Sequence, residues 1–494
     1  MRVLLLLPCL LVAAVVGAPE SSAQAEWNLM IYLNGDNNLE NCAVNDFLEM
    51  ASVGSTADVN VLVQLDRKPG YNSLYGDWTD ARRFRITPGL TPDPGNELAI
   101  LGEINCGQGV ETTPGDGSLE DFVRWACTTY RARKNAIILW NHGFGWRAAG
   151  DDWTDDDKLW MPEVREAFEN LSRDGIDLHL VGFNECLMAM IEVAHEIQPF
   201  AEVMVGSEMV SSEGGFPYDL ILADLVATPT MDARALGETI VTHYGATEPS
   251  LLLSAIDLRE IPPLVEAVDD LALVMTERKS DIETARLAAR SYGSPGGNSH
   301  TDLYSFAEEL SLQIPSGAIH DAALNVMNNF QAAYAVHGNP ARDHGIAIYF
   351  SKNSLHPLHE QYNNDWLAFA GDTHWDEFVR WYHTIPWLCC VGDLLPGSAV
   401  EIRVVGEPAA TPVTFAFGWT ILDPPYPTIY GDLHISLPPA AVIERGPISA
   451  EGILIIPQRV PAIWQSGERY PVQALIGPLT YGSTLTNLMV LNVE

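Results

Sequence analysis

From Trp27 to about Tyr382 short apolar runs alternate with amphipathic stretches, and no other feature of this sequence constrains its fold as strongly. The runs "WNLMIYL", "VNVLVQL", "AIILW", "LHLVGF", "AEVMVGS", "LLLSAIDL" and "GIAIYF" have strand length and are apolar at nearly every position. Strands of that kind are buried on both faces, as in a parallel sheet covered by helices. Between them, "SLEDFVRWACTTYRA" and "LWMPEVREAFENLS" place apolar residues at helical spacing and are long enough to serve as crossovers. The expected fold class is α/β, an αβα sandwich with a mostly parallel sheet. Past Leu388 the texture changes to "AVEIRVV", "TPVTFAFGWTIL", "TIYGDLHISL", "GILIIPQ" and "LTNLMVLNV", divided by Pro- and Gly-rich turns. Residues 26–393 are therefore expected to form the sandwich and 394–494 a small antiparallel all-β domain.

Residues 1–25 have the pattern of an export signal: Arg2, the apolar run "VLLLLPCLLVAAVV", and the small-x-small site Ala23 to Ala25. The expectation is an exported protein, extracellular, periplasmic or at the cell surface, beginning near Glu26. No later run is long and apolar enough for a transmembrane segment. The formal charge of −38 repels phosphate backbones, so nucleic acid is not an expected partner. Six cysteines follow the signal, Cys42, Cys106, Cys127, Cys186, Cys389 and Cys390, at spacings that match neither a disulfide framework nor a zinc motif.

Two strand ends carry residues suited to chemistry. "AIILW" runs into Asn141-His142-Gly143, and "LHLVGF" runs into Asn184-Glu185-Cys186. In a parallel sheet all carboxyl ends share one edge, where active-site crevices form. Neighbouring strands would bring His142 and Cys186 to that crevice. A nearby imidazole and a helix start both favour a thiolate, and Cys186 is expected at a strand-to-helix junction. The amides there, with the Gly143 N–H, would hold the oxyanion of an acyl-transfer intermediate. A side chain at 143 would obstruct the substrate carbonyl. Of the three histidines that precede glycine, His142, His337 and His344, only His142 is expected at the carboxyl end of a strand. By spacing alone, a structural cysteine and a loop histidine fit these residues as well.

The blocks "WNLMIYLNGDNNLE", "ILWNHGFGWR", "LVGFNECLMAMIEVAHEI", "LSAIDLREI", "SHTDLYSFAEEL" and "HGIAIYFS" resemble successive landmarks of the clostripain-type cysteine peptidases, in order from about residue 27 to 352. That resemblance implies a caspase-like αβα sandwich, with His142 as general base and Cys186 as nucleophile. It implies an endopeptidase acting on protein or peptide substrates after Arg or Lys, through a thioester acyl-enzyme, with no metal or organic cofactor in the bond-breaking step.

The chain departs from the family at the nucleophile, where members commonly have Asp-Ala-Cys. Asn184 cannot ion-pair with a guanidinium, which leaves Glu185, Glu208 or Glu213 to supply the charge of a basic-residue pocket. Family habits also imply calcium as activator or structural ion, and self-cleavage in the loop after the histidine. Here that loop is "RAAGDDWTDDDKLW", with Asp151, Asp152, Asp155, Asp156 and Asp157 and with cleavable bonds at Arg147 and Lys158. Two other readings compete: a catalytically retired secreted binding protein on the same fold, and a nucleotide-binding α/β protein. "HGFGW" lacks the third glycine and the acidic partner of a dinucleotide site.

Overall fold

A computed structural model describes residues 24–293, 300–338, 343–352, 361–363 and 366–383, and beyond them the backbone of ten strands between Trp387 and Asn492. The expected signal lies outside the described residues, apart from Gln24 and Ala25. Strands run in the order β1 (Ala25–Gly35), β2 (Val59–Arg67), β3 (Ala81–Arg85), β4 (Ala99–Gly102), β5 (Ala132–Trp140), β6 (Leu180–Asn184), β7 (Val203–Gly206), β8 (Leu253–Asp257), β9 (Ser291–Tyr292), β10 (His300–Asp302), β11 (Ala333–His337) and β12 (Ala347–Tyr349). Nine of them form one sheet, ordered β11, β8, β7, β6, β5, β1, β2, β3, β4. Its five inner strands, β2, β1, β5, β6 and β7, are parallel, and the outer pairs are antiparallel.

Alternate residues of the inner strands face opposite layers. Met30 and Tyr32 of β1, with Ile137 and Leu139 of β5, pack toward one layer of helices. That layer includes α2 (Leu119–Thr129), α3 (Met161–Arg173), α4 (Ile191–Ile197) and α7 (Ile261–Val274). Leu29, Ile31, Ala136, Ile138 and Trp140 face the other layer, α1 (Glu40–Val53), α5 (Tyr218–Ala227) and α6 (Ala233–Thr247). Each fully buried Ile or Leu contributes about 1.5–3 kcal/mol, so a strand with two apolar faces belongs in the middle of this sandwich.

One expectation needs correction. "GIAIYF" is a strand, β12, but it joins β10 and β9 in a separate small sheet, stitched to the segment after Cys186 through Ala347 N–H to Ala189 O at 2.9 Å. Further on, Trp387–Val391 pairs antiparallel with Ala399–Val405. The strands beyond Ala399 are likewise antiparallel to their partners, as the turn-rich sequence implies.

Candidate active site

β5 is the middle strand of the nine, with β6 beside it in parallel register, Trp140 opposite Asn184. His142 and Cys186 therefore stand equally far, two residues, past the last paired rung, on the carboxyl edge of the sheet. The turn after β5 is held by amides. Asn141 Nδ2 donates to Asn34 O and to Asp151 O, both at 3.1 Å, and its Oδ1 accepts from Asn37 Nδ2 at 3.0 Å. The strand ends of β1 and β5 are thereby tied together directly beneath His142.

The glycines of "HGFG" answer to close packing. A Cβ on Gly143 would lie 2.0 Å from the carbonyl oxygen of Cys186. The need for glycine thus comes from the Cys186 backbone itself, ahead of any substrate carbonyl. Gly145 has φ 63, which glycine adopts without strain, and a Cβ there would lie 2.8 Å from His300 Cε1 and Met190 Sδ.

Cys186 is half-buried, and its surroundings differ from expectation. α4 starts at Ile191, five residues on, so its first-turn amides do not serve the thiol. Instead Ser211 N–H, from the loop after β7, donates to Cys186 Sγ at 3.2 Å. Leu187 takes φ 67, a left-handed conformation that is uncommon for a non-glycine residue, while its N–H donates to Met209 O at 3.0 Å. Neither the Gly143 nor the Cys186 N–H has an acceptor among the described residues. Burial pushes the Cys186 thiol up, the Ser211 N–H pulls it down, and the neighbouring Glu185 pushes it up again.

His142 is also half-buried, and burial holds its imidazole below the ordinary value against the opposing pull of Asp151. Its Nε2 lies 2.9 Å from Asn38 Oδ1. With that oxygen accepting, the proton sits on Nε2 and Nδ1 is the basic nitrogen. Asn38 follows Asp36 and Asn37 in "NGDNN", the turn that leaves β1.

Around Asn184 the sequence expectation is partly overturned. Asn184 is 6% exposed, and its Nδ2 lies 3.3 Å from Tyr218 Oη and 3.5 Å from Asp46 Oδ2. Asp46, on α1, also accepts Trp140 Nε1 at 2.7 Å, and no Lys or Arg pairs with it among the described residues. Burial pushes its carboxyl well up. Glu185 is 2% exposed, with both carboxyl oxygens lacking hydrogen bonds, and Glu208 is buried with Oε2 accepting Gly345 N–H at 2.9 Å. Neither offers a surface a substrate can touch. Glu213 is exposed and acts electrostatically on His142 and Cys42, so it alone of the three stands at the crevice.

The histidine comparison also changes. His337 ends β11, which runs in the same direction as β6, so it reaches the same edge as His142. Two strands, β8 and β7, lie between β11 and β6, three strand spacings or about 14 Å, and that distance sets His142 apart. His344 instead holds Asp302 Oδ1 through Nδ1 at 2.9 Å.

The loop after His142 is ordered by backbone bridges, Gly143 to Ala149, Ala148 to Trp160 and Asp152 to Asp157. Arg147 O accepts Met161 N–H at 2.9 Å, and Lys158 pairs with Asp151. Cleavage at Arg147 or Lys158 would first require this loop to open. Cys42, Cys106, Cys127 and Cys186 are free thiols, while the side chains of Cys389 and Cys390 lie outside the described residues. Among the described residues no helix is long and apolar enough to cross a membrane.

Comparison with known proteins agrees with this architecture. A secreted C11 cysteine protease from Bacteroides thetaiotaomicron, solved with an irreversible peptide inhibitor, superposes with a TM-score of 0.52 at 16% identity, covering 72% of this chain and 100% of that one. An inactive zymogen C11 protease from Parabacteroides distasonis gives 0.50 at 16% identity, covering 72% and 98%. Clostripain of Hathewaya histolytica is 27% identical over 365 residues, 62% of this chain, and the match spans 66% of clostripain's length. The clostripain family model matches residues 31–382, a span holding both strand ends, the loop after His142 and the Ser211 loop, so the chain belongs to the clostripain family.

Proposed function

We propose that this chain is an exported cysteine endopeptidase in which Cys186 is the nucleophile and His142 the general base. The observation that carries the proposal is the shared rung of β5 and β6, with Gly143 pressed against the Cys186 carbonyl. Family membership supports the reaction class. Burial raises the thiol and lowers the imidazole, and both shifts favour a neutral pair at rest over a preformed ion pair. Cys186 Sγ would then attack the peptide carbonyl as its proton passes to His142 Nδ1, with Asn38 holding the Nε2 proton. The free N–H groups of Gly143 and Cys186 would receive the oxyanion. His142 would return the proton to the leaving amine, and a water deprotonated by His142 would hydrolyse the thioester. Protein and peptide substrates follow from this chemistry. Export rests on the pattern of residues 1–25 and on structural relatives described as secreted.

The preferred residue before the cleaved bond is proposed to be Arg or Lys, with Glu213 supplying the charge that position 184 lacks. Glu213 is exposed at the crevice and acts electrostatically on His142, whereas Asp46 behind Asn184 is as buried as Glu185 and its carboxyl is pushed well up. Hydrolysis of a positional peptide library, beside Cys186→Ala and Glu213→Gln, tests both parts. Cleavage is expected to vanish in Cys186→Ala, and Glu213→Gln is expected to lower kcat/KM on Arg and Lys peptides about 3- to 10-fold relative to neutral ones. Equal cleavage of neutral peptides by the unaltered protein would remove the basic preference while leaving the dyad standing.

The raised thiol and the neutral Asn184 favour one competing reading, a binding protein that kept the sandwich without activity. It predicts no library cleavage at any pH, even after limited trypsin treatment.

A further inference from the structure

Of the tryptophans after His142, Trp146 is wholly buried against the rings of Tyr349 and Tyr362, whereas Trp153 is 41% exposed. A second exposed ring stands beside it. Tyr71, on the loop after β2 and 44% exposed, meets Trp153 at 6.4 Å and 71°. Single exposed aromatics are common on surfaces, but this pair comes from two separate loops, each with an anchored backbone.

Trp153 N–H donates to Asp36 O, just past the end of β1, and the indole N–H donates to Asp151 Oδ2, both at 2.9 Å. Asp152 and Asp157 exchange N–H to O bonds at 2.9 and 3.1 Å, which closes the turn that carries Trp153. Next to Tyr71, Asn72 is held by the buried pair Glu40 and Arg67. Its N–H donates to Glu40 Oε2 at 2.7 Å, and its carbonyl accepts from Arg67 Nη2 at 2.5 Å. With both backbones anchored, the rings are presented to solvent in a preorganised pair.

Their place on the sheet edge identifies the partner. Neighbouring strands run β7, β6, β5, β1, β2. Ser211 and Glu213 follow β7, Cys186 follows β6 and His142 follows β5, while Trp153 is docked past β1 and Tyr71 stands past β2. In the proposed reaction the acyl half of the substrate stays on Cys186 and the amine leaves past His142, so the chain beyond the cleaved bond runs toward β1 and β2. Two ties join the aromatic pair to His142 itself. Asp151, which holds the indole, acts electrostatically on His142, and Asn38, two residues past Asp36, lies 2.9 Å from His142 Nε2.

We propose that Trp153 and Tyr71 form a subsite for an aromatic or large apolar side chain within the first residues after the cleaved bond. This inference rests on the peptidase reading above. Two rings at a steep angle offer an edge and a face to a third. Exposed carboxylates stand nearby at Asp155, Asp156 and Glu103, while Lys68 and Lys158 are already paired with Asp36 and Asp151. An acidic side chain at this subsite is therefore repelled.

Partitioning of the acyl-enzyme reads the leaving side alone. The protein is given the best library peptide as its methyl ester, with phenylalanine amide, alanine amide or aspartate amide as added nucleophile. The amine displaces Cys186 Sγ from the acyl carbon, and its proton passes through His142 to the thiolate. The ratio of amide product to acid product is expected to be about 3- to 10-fold higher for phenylalanine amide than for alanine amide, and lowest for aspartate amide. Trp153→Ala and Tyr71→Ala, both at exposed positions, are each expected to bring the first preference within twofold, while Trp153→Phe keeps most of it. Each ratio is taken within one enzyme, so a change in overall activity does not move it. Equal partitioning in the unaltered protein, a preference for aspartate amide, or a phenylalanine preference that survives both alanine substitutions would overturn the subsite and leave the dyad standing. No turnover of any ester or peptide would remove the peptidase reading, and the subsite with it.

Discussion

Gly143→Ala is a sharp test of how closely the two strand ends must approach. Gly143 is not among the residues with positive φ, so alanine can adopt its backbone conformation and the cost is contact alone. The new methyl carbon would lie 2.0 Å from the Cys186 carbonyl oxygen and 3.0 Å from its carbon and nitrogen. Such contacts do not occur much below 3 Å, so the two loops must separate by at least about 1 Å. A misplacement of that size at reacting groups costs on the order of a hundredfold in rate, or about 2.7 kcal/mol of barrier. The overpacking itself costs about 1–3 kcal/mol of stability, a fall of a few degrees in unfolding temperature. The assay is kcat/KM on the best library peptide, normalised by active-site titration, with thermal unfolding measured in parallel. A variant within threefold of the unaltered protein, at an unchanged unfolding temperature, would refute the claim that this contact sets the dyad geometry.

Asn38→Ala removes the acceptor 2.9 Å from His142 Nε2 and is expected to lower kcat about tenfold with KM nearly unchanged. Asn38→Asp puts a carboxylate there and is expected to move the acid limb of the pH–rate profile to higher pH; unchanged profiles in both variants would exclude a positioning role. Glu192 governs stability at a distance from the crevice. Its Oε1 accepts Tyr349 N–H and Tyr362 Oη–H, each at 2.7 Å, and burial pushes it up to about 7. The folded state therefore keeps a proton that the unfolded chain releases near pH 4.5, and stability falls as pH rises from there to about 7. Glu192→Gln should shrink the loss of unfolding free energy between pH 5 and pH 8 by about 3 kcal/mol in urea titrations; an unchanged loss would contradict the assigned burial.

The inner sheet was legible because β1, β2, β5, β6 and β7 are apolar on both faces, which only a covered parallel sheet explains. The edges were not. β3 reads "ARRFR", and its arginines have polar partners, Arg82 with Asp80, Arg83 with Asp121 and Arg85 with Asn60, so hydrophobic periodicity misses it. β11 reads "AYAVH" after a helix and merges with it by pattern. The strand ends that carry His142 and Cys186, the proposed dyad, were legible in the sequence, whereas the residues that contact these two side chains were not. Ser211 lies 25 residues from Cys186, and Asn38 lies 104 from His142, separations at which only the sheet order brings side chains together. Asp46 did leave a trace: it interrupts the buried stripe of Ala43, Phe47 and Met50 on α1, and a carboxyl on such a stripe marks a polar partner in the core. The helix start expected at Cys186 failed because the chain first makes a left-handed turn at Leu187 and pairs Met190 with Ala347 before α4 begins.

The central claim is that Cys186, among the free thiols, is the one His142 activates. Cys42 is the informative rival, half-buried and close to Asp46 and Glu213. The direct measurement is to treat the mature protein with a peptide that ends in arginine and carries a thiol-reactive group, then map the adduct by mass spectrometry. The account predicts a single adduct on Cys186, lost in His142→Ala although the thiol remains. An adduct on Cys42, equal labelling in His142→Ala, or no adduct at all would contradict it.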